Sequence, residues 1–226
     1  MQRRALLSGL AASATIPLSW PARDARAQGD QGDLRDWFIF LETGRPLPQD
    51  KAAVAQMQRG HLDNFKRLFA AGQLLAAGPL RDPARVKRGI VVLRAASHAQ
   101  LLACFQPDEY VREGYMSVQA QPARVWRALN STGIDPEGIE ENRIALLSRG
   151  APEAAAAQQA HLQQALAAGQ LGAWYSLAEG PVAQVLFSRG ADETVLRQAL
   201  AGYPGLATQQ LTLEVWPQWL GRGVLR

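Results

Sequence analysis

The 226-residue chain has one cysteine, Cys104, and three histidines, His61, His98 and His161. A lone cysteine excludes an intrachain disulfide and a cysteine-based metal cluster. The histidines are scattered, with no i, i+4 pair and no neighbouring thiolate. That argues against a zinc site and leaves at most one axial haem ligand. No G-x-S-x-G elbow, P-loop or G-x-G-x-x-G fingerprint occurs. A run of roughly 20 apolar residues, the length that spans a bilayer, is missing too. No basic stripe interleaved with aromatics is present, so no nucleic-acid partner is expected. No cofactor is expected either.

The first residues carry an address. Arg3-Arg4 precedes Ala5-Leu6-Leu7, a modest apolar stretch runs to Leu18, and Ala25-Arg26-Ala27 offers a small-x-small cleavage pattern. This order reads as a twin-arginine export signal over residues 1–27, cut before Gln28. The expected location is periplasmic or secreted, with no stable membrane anchor after cleavage. Cleavage removes Arg3, Arg4, Arg23 and Arg26 but only Asp24. The formal charge of +4 then falls to about +1, so basicity is no guide to a partner.

What the chain does have is a repeat. Ala70-Ala71-Gly72-Gln73-Leu74 recurs as Ala167-Ala168-Gly169-Gln170-Leu171, and Ser97 to Pro122 lies on Asp192 to Pro217 without a gap. This gives a first copy over 35–127, a linker over 128–141 rich in Gly, Pro and acids, and a second copy over 142–219.

Within the first copy, Trp37 to Leu41 is an unbroken apolar strand. Asp50 caps a helix whose inner stripe includes Val54, Met57, His61, Phe65 and Leu68. Gly72 ends that helix. Strands follow at 74–80 and 89–94, Ser97 caps a second helix through Phe105, and 107–114 turns the chain into a strand at 115–121. The second copy follows the same order, β-α-β-β-α-β, which is a ferredoxin-like unit. Such a unit covers one sheet face with helices, and a free-standing copy alternates apolar and polar residues. Phe38 to Leu41 and Ile90 to Leu93 do not alternate, so their second face is buried as well. The expected fold class is therefore α+β: two ferredoxin-like units packed sheet to sheet as an intramolecular pseudo-dimer with helices outside.

By pattern alone His61 is a buried ring with one satisfied hydrogen bond, or an acid/base group; Asp108 is a turn residue. Cys104, inside a helical pattern, reads as a small buried apolar residue. The tryptophans at strands and strand ends read as packing. In the second copy, Gln158 stands at the position of His61 and Tyr203 at that of Asp108, while His161 corresponds to Asn64 on a helix flank.

An ordered set of motifs carries a family resemblance: His61-Leu62; Gly72-x-Leu74-Leu75-x-Ala77-Gly78-Pro79; Arg88-Gly89-Ile90-Val91-Val92; and Asp108-Glu109-Tyr110-Val111-x-x-Gly114, with Val118 and Pro122 beyond. Together they resemble the YCII-related (YciI-like) domain over nearly all of the first copy. The resemblance implies ferredoxin-like domains paired as dimeric α+β barrels, and His61 with Asp108 as an active-site pair. The family's proline after the aspartate is Glu109 here, with Pro107 before it. The site so implied is a His-Asp pair in an apolar pocket between sheets, suited to isomerase or lyase chemistry on a small apolar or aromatic compound. Alternatives are a non-catalytic small-ligand binding protein and a monooxygenase of the same barrel superfamily. The expected assembly is a monomer built as a pseudo-dimer, or a higher homo-oligomer.

Overall fold

The structure is a computed structural model that describes residues 33–226, and the export signal read at 1–27 lies outside them. The elements run β1 (Arg35–Thr43), α1 (Lys51–Ala70), β2 (Leu74–Pro79), β3 (Lys87–Ala95), α2 (His98–Cys104), α3 (Glu109–Arg112) and β4 (Met116–Arg127). They continue with β5 (Asp135–Ser148), a 3-10 turn (Pro152–Ala154), α4 (Ala155–Ala167), β6 (Ala173–Leu177), β7 (Val182–Arg189), α5 (Thr194–Ala199) and β8 (Leu213–Arg222).

Local chemistry sets the boundaries. The Asp50 carboxylate accepts from the Ala52 and Ala53 amides and starts α1. Gly72 and Gly169, at φ +68° and +73°, supply the left-handed residue that turns each first helix into its next strand. The Ser97 hydroxyl caps α2 through the Gln100 amide.

All eight strands form one antiparallel sheet in the order β2-β3-β1-β4-β6-β7-β5-β8. The two four-stranded units are thus joined edge to edge through β4 and β6, where Ala123 pairs with Leu177 and Val125 with Tyr175. The sheet curls until its outer strands meet. Leu80 bridges Gln218, and the Arg81 amide donates to the Pro217 carbonyl at 3.1 Å. At this second seam Gly78 is required, because a Cβ there would collide with the Trp219 carbonyl oxygen. Trp126 stacked on Trp174, with centroids 4.5 Å apart and planes 9° from parallel, closes the first seam.

The unpatterned strands are buried on both faces, as their sequence requires. Phe38, Phe40, Ile90 and Val92 point into the barrel, where they meet Ile144, Leu146, Val185 and Phe187 of the second unit. Trp37, Ile39, Leu41, Val91 and Leu93 point outward against Leu68, Leu101 and Phe105 of the helical layer. Ala145, Leu147 and Leu186 do the same in the second unit, against Leu162, Ala165 and Leu196. Each such large apolar side chain contributes about 1.5–3 kcal/mol on burial. Rings fill the interior: Phe38 lies 5.3 Å from Phe40, 5.5 Å from Tyr175 and 6.4 Å from Phe187.

Two expectations need correction. Strand β5 starts at Asp135 and pairs with β8 along most of its length, so much of the segment read as linker over 128–141 is strand. The stretch read as a turn at 107–114 holds a short helix, α3. Among the described residues no helix is long and apolar enough to cross a membrane.

Candidate functional site

His61 lies on the buried stripe of α1 with Met57, Asn64 and Leu68. Facing it is α3, whose N-cap is Asp108. One carboxylate oxygen, Oδ1, accepts from the Tyr110 amide at 3.0 Å and fixes the carboxylate plane. The other, Oδ2, is 2.6 Å from His61 Nδ1. Asp108 is fully buried and His61 is 8% exposed. With a carboxylate accepting, Nδ1 is the donor, and in the neutral ring the second nitrogen, Nε2, has the lone pair. Nε2 makes no hydrogen bond among the described residues.

The walls are aromatic. The Phe65 ring lies 4.4 Å from the imidazole and Tyr110 meets it edge-on at 5.6 Å. The Tyr110 hydroxyl donates to the Val54 carbonyl at 3.4 Å, and burial pushes its phenol up. Glu109 occupies the first helical position of α3. Proline is favoured there because that amide has no helical partner, and a glutamate is equally compatible with the helix start. Glu109 at this position is therefore compatible with the contact between Asp108 and His61.

The place of this pair differs from the sequence reading. His61 and Asp108 sit in the helical layer outside the barrel, between α1 and α3, not in a pocket between sheets. The inward face of an outer helix looks onto the outer face of the sheet and cannot reach the interior. Sequence reasoning also gave no role to Tyr110 as a wall, although its place two residues after Asp108 on a short helix determines that it returns to the ring.

The other candidates have structural partners. His161 Nε2 is 2.8 Å from the Ala199 carbonyl, just as Asn64 donates to the Cys104 carbonyl at 3.1 Å in the first unit. Gln158, at the position of His61, donates to the Pro204 carbonyl at 3.0 Å. Tyr203, at the position of Asp108, is buried with its phenol pushed up to about 12. His98 is exposed, with its ring 5.7 Å from Trp37. Cys104 is buried and its thiol is pushed up by burial, which disfavours the reactive thiolate.

Arrangement and connectivity decide the architecture: two β-α-β-β-α-β units in one chain, sharing a closed sheet with all helices outside. The fold is that of the dimeric α+β barrels. No family model matches the chain, and no curated protein does. Among solved structures it is similar to a provisionally assigned monooxygenase from Lactobacillus acidophilus, at TM-score 0.52 and 10% identity over 85% of this chain and 98% of that one. A provisionally assigned monooxygenase from Fusobacterium nucleatum matches at TM-score 0.52 and 6% identity, covering 85% and 95%. A point mutant of chlorite dismutase from Candidatus Nitrospira defluvii matches at TM-score 0.50 and 12% identity, covering 83% and 92%.

The sequence left one histidine open as an axial haem ligand, and the interior of this barrel does not fit that group. Its interior is filled by Phe38, Phe40, Tyr175 and Phe187. None of the three histidines projects there: one is held by Asp108, one by the Ala199 carbonyl, and one is on the surface. Among the described residues no group of three His, Cys, Asp or Glu side chains could hold a metal ion.

Proposed function

We propose that the protein is a small-molecule enzyme in which His61 moves a proton at Nε2 while Asp108 positions the ring. The observation that carries this reading is the 2.6 Å contact between Nδ1 and a fully buried carboxylate, with the opposite nitrogen free of hydrogen bonds among the described residues. Aromatic walls favour a flat, largely apolar substrate, and proton removal from an acidified C–H or O–H of such a compound is what the pair can do. Return of the proton to another atom gives isomerisation, and loss of a leaving group gives elimination. The likeness to two proteins described as monooxygenases supports a third fate ahead of these, oxygenation of the deprotonated substrate by dioxygen. A methylene going to a ketone supplies four electrons, so one oxygen atom enters the product and the other leaves as water.

The test does not need the natural substrate. A panel of phenols, enones and 1,3-dicarbonyl compounds is incubated with the protein in D2O, with C–H exchange followed by NMR and dioxygen uptake by electrode. His61→Ala should remove the catalysed exchange, a loss of about 100-fold or more, and Asp108→Asn should lower it about 10- to 100-fold. Uptake of dioxygen alongside exchange selects oxygenation; exchange alone selects isomerisation or elimination. Undiminished turnover in His61→Ala would remove His61 from the chemistry.

A further inference from the structure

Three arginines and no Asp or Glu side chain line a cleft beside the seam between the two units. Arg127 ends β4, Arg189 ends β7 and Arg226 follows β8; with the Gly169–Gly172 loop and Val195 they enclose about 390 Å³. The internal repeat shows what is unusual about them. In the first unit Arg94 lies opposite Asp36, and its Nε donates to Asp36 Oδ1 at 2.9 Å. The gapless alignment that lays Ser97 on Asp192 lays Arg94 on Arg189, and strand pairing sets Arg189 opposite Asn142. The arginine is kept, and the acid has become a buried neutral amide that donates instead to the Glu140 carbonyl.

Arg127 repeats the pattern. Its counterpart on β8 is Arg222, which pairs with Asp135 at 3.6 Å. Arg127 has no Asp or Glu partner among the described residues and donates to the Leu171 carbonyl at 3.4 Å and to the main-chain oxygen of Arg226, the last residue of the sequence, at 3.3 Å. The Arg226 guanidinium donates to the Thr132 carbonyl at 2.7 Å, and Arg189 Nε to the Leu225 carbonyl at 3.0 Å. Main-chain oxygens thus hold all three groups in place, and among the described residues none of the three pairs with an Asp or Glu side chain. Like charges gathered in a concave site raise the local potential for anions, and the terminal nitrogens of Arg189, which make no hydrogen bond among the described residues, form the fork that matches an oxyanion.

We propose that this cleft binds a small molecule through a carboxylate or phosphate group, gripped chiefly by Arg189 and Arg127. It stands apart from the His61 pair and does not depend on the catalytic reading. Calorimetric titration of the full chain with inorganic phosphate and, separately, with succinate distinguishes the two anion chemistries. At least one should bind with a Kd of about 1 mM or tighter and weaken as salt is added. Arg189→Gln should weaken that binding about tenfold or more. Asn142→Asp, which restores the acid of the first unit without removing any arginine, should do the same. Arg94→Gln should leave it unchanged. The proposal is overturned if neither anion binds the unmodified protein, or if Asn142→Asp binds as tightly as the parent.

Discussion

Tyr175 is fully buried among the interior rings, and its hydroxyl oxygen accepts from the Leu129 amide at 2.7 Å. Burial pushes its phenol well above the usual tyrosine range. A neutral phenol in the folded state and an ionisable one in the unfolded chain give stability that is complete below about pH 10 and declines as pH rises toward the folded value. The decline is about 1.4 kcal/mol per pH unit for each such tyrosine. Urea unfolding followed from pH 9 to 12 should show this loss, and Tyr175→Phe should reduce the slope by one proton's worth. An unchanged slope would place the Tyr175 hydroxyl in water. His61 shows how far single residues were legible. Its place on the apolar stripe of α1 gave burial and one hydrogen bond, and the motif around Asp108 gave the partner. The pocket was misplaced because the stripe tells which way a helix faces, whereas the sheet face it covers is set by the closure of the whole barrel.

Elements with a strong period or a sharp stop were readable: α1 between Asp50 and Gly72, and the doubly buried strands β1 and β3. Those without either were not. Four residues carry no helical period, so α3 looked like a turn. Strands β4 and β5 outrun their apolar patterns because their ends pair at the rim, where β4 side chains are half-buried or exposed on both faces and nothing selects alternation. The same rim holds the tightest constraint in the sheet. At Gly78 strand β2 approaches β8 so closely that a methyl group would meet the Trp219 carbonyl oxygen and the Gln218 side chain. Gly78→Ala should cost about 2–4 kcal/mol in chemical denaturation, since backbone on both sides must move. A cost below roughly 0.5 kcal/mol, the range of a neutral surface change, would mean that the seam is open in solution.

At the scale of the molecule, two ferredoxin-like units within one chain make the contact between them its interior. The edges of the two units pair as a ladder at β4 and β6, and the outer strands β2 and β8 approach each other at the Leu80–Gln218 bridge. The second unit has Gln158 and Tyr203 where the first has His61 and Asp108. Gln158 and Tyr203 now serve packing, and His161 does the work of Asn64. The sequence announced this division through the repeat and the loss of the pair. It could not announce which edges would join, because strand order depends on contacts between residues far apart in the chain. Closure within a single chain is tested most directly by placing cysteines at Leu80 and Gln218, the bridge between β2 and β8, in a Cys104→Ala background. After mild oxidation, non-reducing mass analysis should find the cross-link inside particles with the mass of one chain. Cross-links that form only between chains, or failure to form any, would contradict the barrel described here.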